Sequence, residues 1–185
     1  MAVEPRCRIR ERRVVLTPPV AAILERLKAF DHEAAGELFD LVFEKVFTYA
    51  AACTRSSDDA AELTQAVLTA ALQGIEDRGK VADDVELLAW LCRIARTRGA
   101  DMYPRAPGAQ PPQELEAGAS RSTVMDAVRA LPSDERDVIV FHVMLGYDVD
   151  TTRRIVGLPP ERVVRARHTA LASIESAVAT SDAVA

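Results

Sequence analysis

The sequence predicts an all-α protein: two small helical domains, the second a helix-turn-helix unit, joined by a flexible linker. Three observations predict the helices and the split. Alanine, leucine, arginine and glutamate are abundant and aromatics make up only 5% of the 185 residues, so the cores must be built from helix-favouring side chains. Apolar residues recur in steps of three and four, with no long Val/Thr/Tyr alternation. Residues 104–121 are rich in Pro, Gly and Ala and poor in large apolar side chains, so they cannot bury enough surface to offset the entropy of ordering.

The domain boundaries follow. Residues 1–19 form a basic arm carrying Arg6, Arg8, Arg10, Arg12 and Arg13. Residues 20–103 form the first domain, 104–121 the linker, and 122–180 the second domain. Pro18-Pro19 ends the arm and starts a short helix through Phe30. From Glu37 to about Cys53, Phe39, Val42, Phe43, Val46 and Phe47 fall on one helical face and are expected in the core. Ser56-Ser57-Asp58-Asp59 is a helix start, since a hydroxyl or carboxylate can accept the free backbone N–H groups. The helix that follows is expected to bury Leu63, Val67, Leu68, Ala71 and Leu72. Gly74 and Gly79 bracket a charged loop. A further helix runs from about Asp84 to Tyr103, with Leu88, Leu91, Ile94 and Ala95 inward, and Pro104 stops it.

In the second domain Val124, Ala127, Val128 and Leu131 share a face. Leu131-Pro132-Ser133-Asp134-Glu135 supplies a turn, an N-cap and an acidic first turn. Val138, Phe141, His142 and Leu145 continue as an amphipathic helix that Gly146 ends. A short helix covers roughly Val149 to Val156, and Gly157-Leu158-Pro159 makes a tight turn with Pro160 at the favoured first helical position. The last helix extends to about Val178 on an inner face of Val163, Ala170, Leu171 and Ile174. Two helices about a Gly-containing turn, the second basic, form a helix-turn-helix pattern.

Charge and cysteine usage narrow the function. There are 23 Lys+Arg against 28 Asp+Glu, a net charge of -5, so any DNA contact must come from local basic faces or with a partner's help. Cys7, Cys53 and Cys92 are far apart, show no ligand spacing and are expected as reduced thiols in a cytoplasmic protein. No apolar run approaches the roughly 20 residues of a membrane span, so no membrane insertion is expected. His32, His142 and His168 stand alone, and no catalytic set, phosphate loop or metal spacing occurs, so neither enzyme activity nor a cofactor or metal is expected. His142 is expected as a satisfied core histidine.

Two helices carry candidate nucleic-acid contacts. Arg162, Arg165, Arg167 and His168 lie near the start of the last helix, with Arg153 and Arg154 on the helix before it. Side chains so placed can reach phosphate oxygens and guanine edges. In the first domain Arg93, Arg96, Arg98 and Arg105 recur along and just beyond a helix whose other face is apolar.

The segment Ala89–Arg96, AWLCRIAR, followed by Asp101 and Arg105, resembles the signature helix of the extracytoplasmic-function sigma factors of bacterial RNA polymerase, in the sigma-70 family. Asp59–Gln65, DAAELTQ, resembles that family's polymerase-binding helix, and Ala130–Val138, ALPSDERDV, the start of its second domain. Gly146, Ile155, Val156, Gly157, Leu158, Pro159 and Val163 fall where its helix-turn-helix expects them. The similarity spans about residues 29–176 in order. It departs at Ala66, where a carboxylate is usual, at Thr97 and Thr152, and in the acidic loop of Glu76, Asp77, Asp83 and Asp84.

The resemblance implies a factor that directs core RNA polymerase to promoter DNA. Asp59, Glu62, Leu63 and Gln65 would dock on the coiled coil of the largest polymerase subunit. The loop from Gly74 to Asp84 and the following helix would take the unwound −10 element, with Arg93, Arg96, Arg98 and Arg105 on its phosphates. The helix from Pro160, with Arg162, Arg165, Arg167, His168, Arg153 and Arg154, would read the −35 element. An anti-sigma partner is implied as well. The alternative is a sigma-like DNA-binding regulator that does not itself initiate transcription.

Overall fold

Three of the long helices start at a side chain able to take up the free amides of a first turn. In the computed structural model, which describes residues 19–76, 81–103 and 120–182, every described regular element is helical. Helix α1 spans Val20–Lys28 and α2 spans His32–Cys53. The second starts five residues before the expected Glu37, because Asp31 caps it by accepting from the Glu33 amide at 2.9 Å. Ser56 caps α3 (Ser57–Gln73) by accepting from the Asp59 amide at 3.0 Å. Asp83 caps α4 (Asp84–Met102) through the Glu86 amide at 2.8 Å. Helix α5 covers Ser120–Ala130, beginning inside the stretch assigned to the linker, whose residues 104–119 lie outside the described residues, as do most of the basic arm and Gly79.

Pro132, not Ser133, is the residue before α6 (Ser133–Val138), and no side chain caps this helix. Its chain runs on as a π-helical segment, Ile139–Met144. There the hydrogen bonds span five residues instead of four, the Leu145 amide reaching the Val140 carbonyl at 2.9 Å. Helix α7 (Val149–Val156) is capped by Asp148, which accepts from the Thr151 amide at 2.7 Å. It ends at Gly157, whose φ of 77° only glycine adopts freely. Pro160 then opens α8, Pro160–Asp182.

Helices α1 to α4 form one half, with α2 against α1, α3 and α4; α5 to α8 form the other, with α8 against α5, α6 and α7. The expected cores of α3, α4 and α8 are largely found: Leu63, Val67, Ala71, Leu88, Leu91, Ala95, Val163 and Ala170 are buried. Leu72 is 43% exposed and Val124 41%, so both leave their expected cores. The larger correction is on α2. Val42 and Val46 are buried, joined by Ala34, Leu38 and Tyr49, but Phe39 is 46% exposed and Phe43 38%. The apolar stripe is wider than the neighbouring helices can cover. Phe39, Phe43 and the half-buried Phe47 instead stack on one another along the outer side, with ring centroids 4.7 and 5.8 Å apart.

The buried residues of both halves form one continuous cluster. Helix α7 lies along α4, and the Tyr49 ring of α2 stacks on Phe141 of the π segment at 5.7 Å. Arg129 of α5 donates to the Ala51 carbonyl at 3.1 Å. No described helix is long and apolar enough to cross a membrane, and no metal-ligand group occurs among the described residues.

Candidate nucleic-acid interface

The helix-turn-helix is built by sequence-local rules. The Gly157 amide closes α7 onto the Arg153 carbonyl at 2.9 Å, and the Arg162 amide bonds the Pro159 carbonyl at 3.0 Å as α8 begins. Val163 and Ala170 seat α8 on its neighbours, which fixes what points outward. Arg165 and His168 are exposed, and neither forms an ion pair among the described residues. Arg162 is also exposed, but its Nη2 donates to Asp134 at the start of α6, at 2.9 Å. Together Asp134, Glu135, Arg162 and Arg165 line an open groove of about 350 Å³.

The remaining expected −35 contacts are placed differently. Arg167 is half-buried, its Nη1 at 3.3 Å from His142 Nε2, so it does not share the outward face of Arg165. At 100° per residue a side chain four beyond Val163 and three before Ala170 belongs to the inner stripe, a signal already present in the sequence. His142 is half-buried and its Nδ1 lies 2.6 Å from the Tyr147 carbonyl, so the ring donates there and offers Nε2 as acceptor to Arg167. Arg153 pairs with Asp150 one turn back at 2.7 Å. Arg154 reaches across to the other half and donates to Asp83 at 2.6 Å. That bond holds the Asp83 carboxyl below its ordinary range.

On α4 the arginines do not share one face. Arg93 and Arg98 are exposed. Arg96 turns toward the second half and forms an ion pair with Asp137 of α6, whose side chain is 1% exposed. Burial works against the Arg96 charge, but Asp137 and Tyr49 outweigh it and raise the guanidinium above its ordinary value. Burial also lifts the Tyr49 hydroxyl and the Cys92 thiol well above theirs. Arg105 lies outside the described residues.

The four residues expected to dock on polymerase divide. Glu62 and Gln65 are exposed on one side of α3, and Asp59 is half-buried in its first turn. Leu63 is fully buried and belongs to the core, so it cannot touch a partner across this face. Thr69 and Leu72 extend the Glu62–Gln65 face in steps of four and three. The exposed Leu72 is the apolar member that sequence reasoning had assigned to the core. The Tyr103 hydroxyl, beyond the end of α4, donates to Glu62 Oε2 at 3.1 Å. Burial and the neighbouring Glu62 push its pKa up to about 12.

No protein-family model and no curated protein matches this sequence. Solved structures do match. The chain aligns with the structure of CnrH in complex with the cytosolic domain of CnrY at a TM-score of 0.65 and 17% identity, over 86% of this chain and 97% of that one. It aligns with the sigma factor RpoE, co-crystallised with the anti-sigma factor NepR from Bartonella quintana, at a TM-score of 0.57 and 17% identity, over 77% and 95% of the two chains. The chain has the all-helical fold of these proteins.

Proposed function

We propose that this chain is a sigma factor that brings core RNA polymerase to specific promoters. The observation that carries the reading is the α7–Gly157–α8 unit with Arg165 and His168 outward, in a chain with the fold of a sigma factor. Helix α8 enters the major groove at the −35 element, with Arg165 on base edges or phosphates and Arg162 free to join once it leaves Asp134. Arg93 and Arg98 hold the phosphates of the opened −10 strand. Glu62, Gln65 and Leu72 form the polymerase-docking face of α3, a polar rim around one apolar anchor. The protein works by binding in the cytoplasm rather than by chemistry of its own, and an anti-sigma factor restrains it.

Transcription with purified core polymerase on a pooled promoter library tests the reading. Promoter-specific transcripts that depend on this chain support it. Holoenzyme carrying Arg165→Ala should lose about 1–3 kcal/mol of promoter affinity if the side chain reads a base, or about one unit of salt slope if it holds a phosphate. The second reading, a sigma-like regulator that does not initiate, draws on Arg96, Arg154 and Arg162 being paired with acids. Polymerase and DNA binding without transcripts would favour it.

A further inference from the structure

The end of α4 comes back onto the acidic start of α3. Gly99, in the last turn of α4, lies against the Leu63 side chain of α3. Tyr103 follows at the end of α4, its amide bonded to the Gly99 carbonyl at 2.9 Å. This places the Tyr103 hydroxyl 3.1 Å from Glu62 Oε2 and 3.3 Å from the Asp59 carbonyl. Its one proton is thus shared between a carboxylate on the exposed face of α3 and the backbone of the same helix. We propose that Tyr103 is a positioning residue for polymerase binding, which fixes the Glu62 carboxylate on α3 and leaves its Oε1 to pair with a guanidinium group on the polymerase surface. This rests on the reading that the Glu62–Gln65 face of α3 docks on polymerase.

The chemistry of the donor carries the argument. Glu62 is exposed, and among the described residues no ion pair restrains it. Such a side chain turns about several bonds, and a partner that stops it must supply the lost entropy. Tyrosine has few torsions to lose, and Tyr103 is half-buried at the end of a packed helix. A phenol also differs from a cation as a restraint. On α2 the Arg26 guanidinium holds Glu37 at 2.8 Å and cancels its charge. The Tyr103 hydroxyl takes up one oxygen of Glu62 and leaves the negative charge whole. Asp58 and Asp59 stand in the same first turn, so the face stays acidic and suits a cationic partner. A planar guanidinium is the cation that best matches a carboxylate held in one orientation. Burial and Glu62 together push the Tyr103 pKa up to about 12, so the hydroxyl remains a donor at neutral pH.

A double-mutant cycle tests this on the full chain. The affinity for purified core polymerase is measured by competition against a fluorescently labelled wild-type chain. The four forms are wild type, Tyr103→Phe, Glu62→Ala and the double variant, each checked for its fold by circular dichroism. Tyr103→Phe should weaken binding about two- to five-fold, and Glu62→Ala at least as much. Once Glu62 is alanine, Tyr103→Phe should have no further effect, because the hydroxyl acts only through that carboxylate. A merely structural role would weaken both backgrounds alike, and that result overturns the proposal. So does full affinity in Tyr103→Phe beside a loss in Glu62→Ala, which leaves the docking face standing. Wild-type affinity in Glu62→Ala removes Glu62 from the docking face, and the role of Tyr103 falls with it. If no form binds core polymerase, the sigma-factor reading fails and takes the positioning role with it.

Discussion

The two halves bury polar groups in opposite ways. In the first half the buried hydroxyls are satisfied locally: Thr54 donates to the Ala50 carbonyl at 2.9 Å and Thr64 to the Ala60 carbonyl at 2.7 Å. In the second half Arg136, Asp137 and Thr152 are all buried, and each keeps at least one atom without a partner. The outer arginines divide within each half instead: Arg93 and Arg98 of α4 and Arg165 of α8 are exposed without ion pairs among the described residues, whereas Arg26, Arg96, Arg153, Arg154 and Arg162 are each held by an acid. Among the described residues the buried side-chain atoms without a partner concentrate in the second half, at Arg136, Asp137, Thr152 and Arg167, against Glu37 Oε2 in the first.

The sharpest way to break this contrast is to remove its shared element. Phe141→Ala should destabilise the chain by about 3–5 kcal/mol, because it empties a buried site at the junction as well as in the second half. Leu63→Ala should cost about 2–5 kcal/mol from within the first half alone. Denaturant unfolding followed by far-ultraviolet circular dichroism measures both. If the halves unfold as one body, each variant shifts a single transition; two separated transitions would show that the shared cluster does not couple them.

A smaller effect has the opposite sign. Thr152 is fully buried and its hydroxyl has no partner, so Thr152→Val, which keeps the shape, should raise stability by about 1–2 kcal/mol. An unchanged or lowered denaturation midpoint would mean that the hydroxyl is satisfied in solution.

Acid sharpens the contrast further. Asp83 has a folded pKa below its unfolded one, chiefly through the Arg154 bond. Its contribution to stability is therefore complete above the ordinary carboxylate pKa and is lost as pH falls through the depressed value. The denaturation midpoint of the wild type should fall in that range by more than that of Asp83→Asn, which lacks the titrating group. The smallest expected effect is Asp134→Asn, which removes a pair whose side chains are 49% and 59% exposed and should change stability by less than about 1 kcal/mol.

Much of this was legible because helix starts are local. Ser56, Asp83 and Asp148 each do what a short polar side chain before an apolar run does, and Gly157-Leu158-Pro159 with Pro160 places the helix-turn-helix within a residue. What was hidden depended on neighbours distant in sequence. Spacing put Phe39, Phe43 and Phe47 on an apolar face but could not say that Val42, Val46 and Tyr49 would take the core side. The pairs Arg96–Asp137 and Arg154–Asp83 join residues 41 and 71 positions apart, and no local pattern announces them. The π segment, too, has no signature in IVFHVM. Arg167 is different, because its place beside Val163 and Ala170 could have been counted from the sequence.

The chain contains a single tryptophan, and its position gives it a use. Trp90 is half-buried on α4, and its ring lies close to Gly74, where α3 ends. Indole emission shifts to longer wavelength as water reaches the ring. The protein therefore carries a native optical probe where α3 meets α4, and its colour can be followed in stopped flow while polymerase is added, with no dye attached.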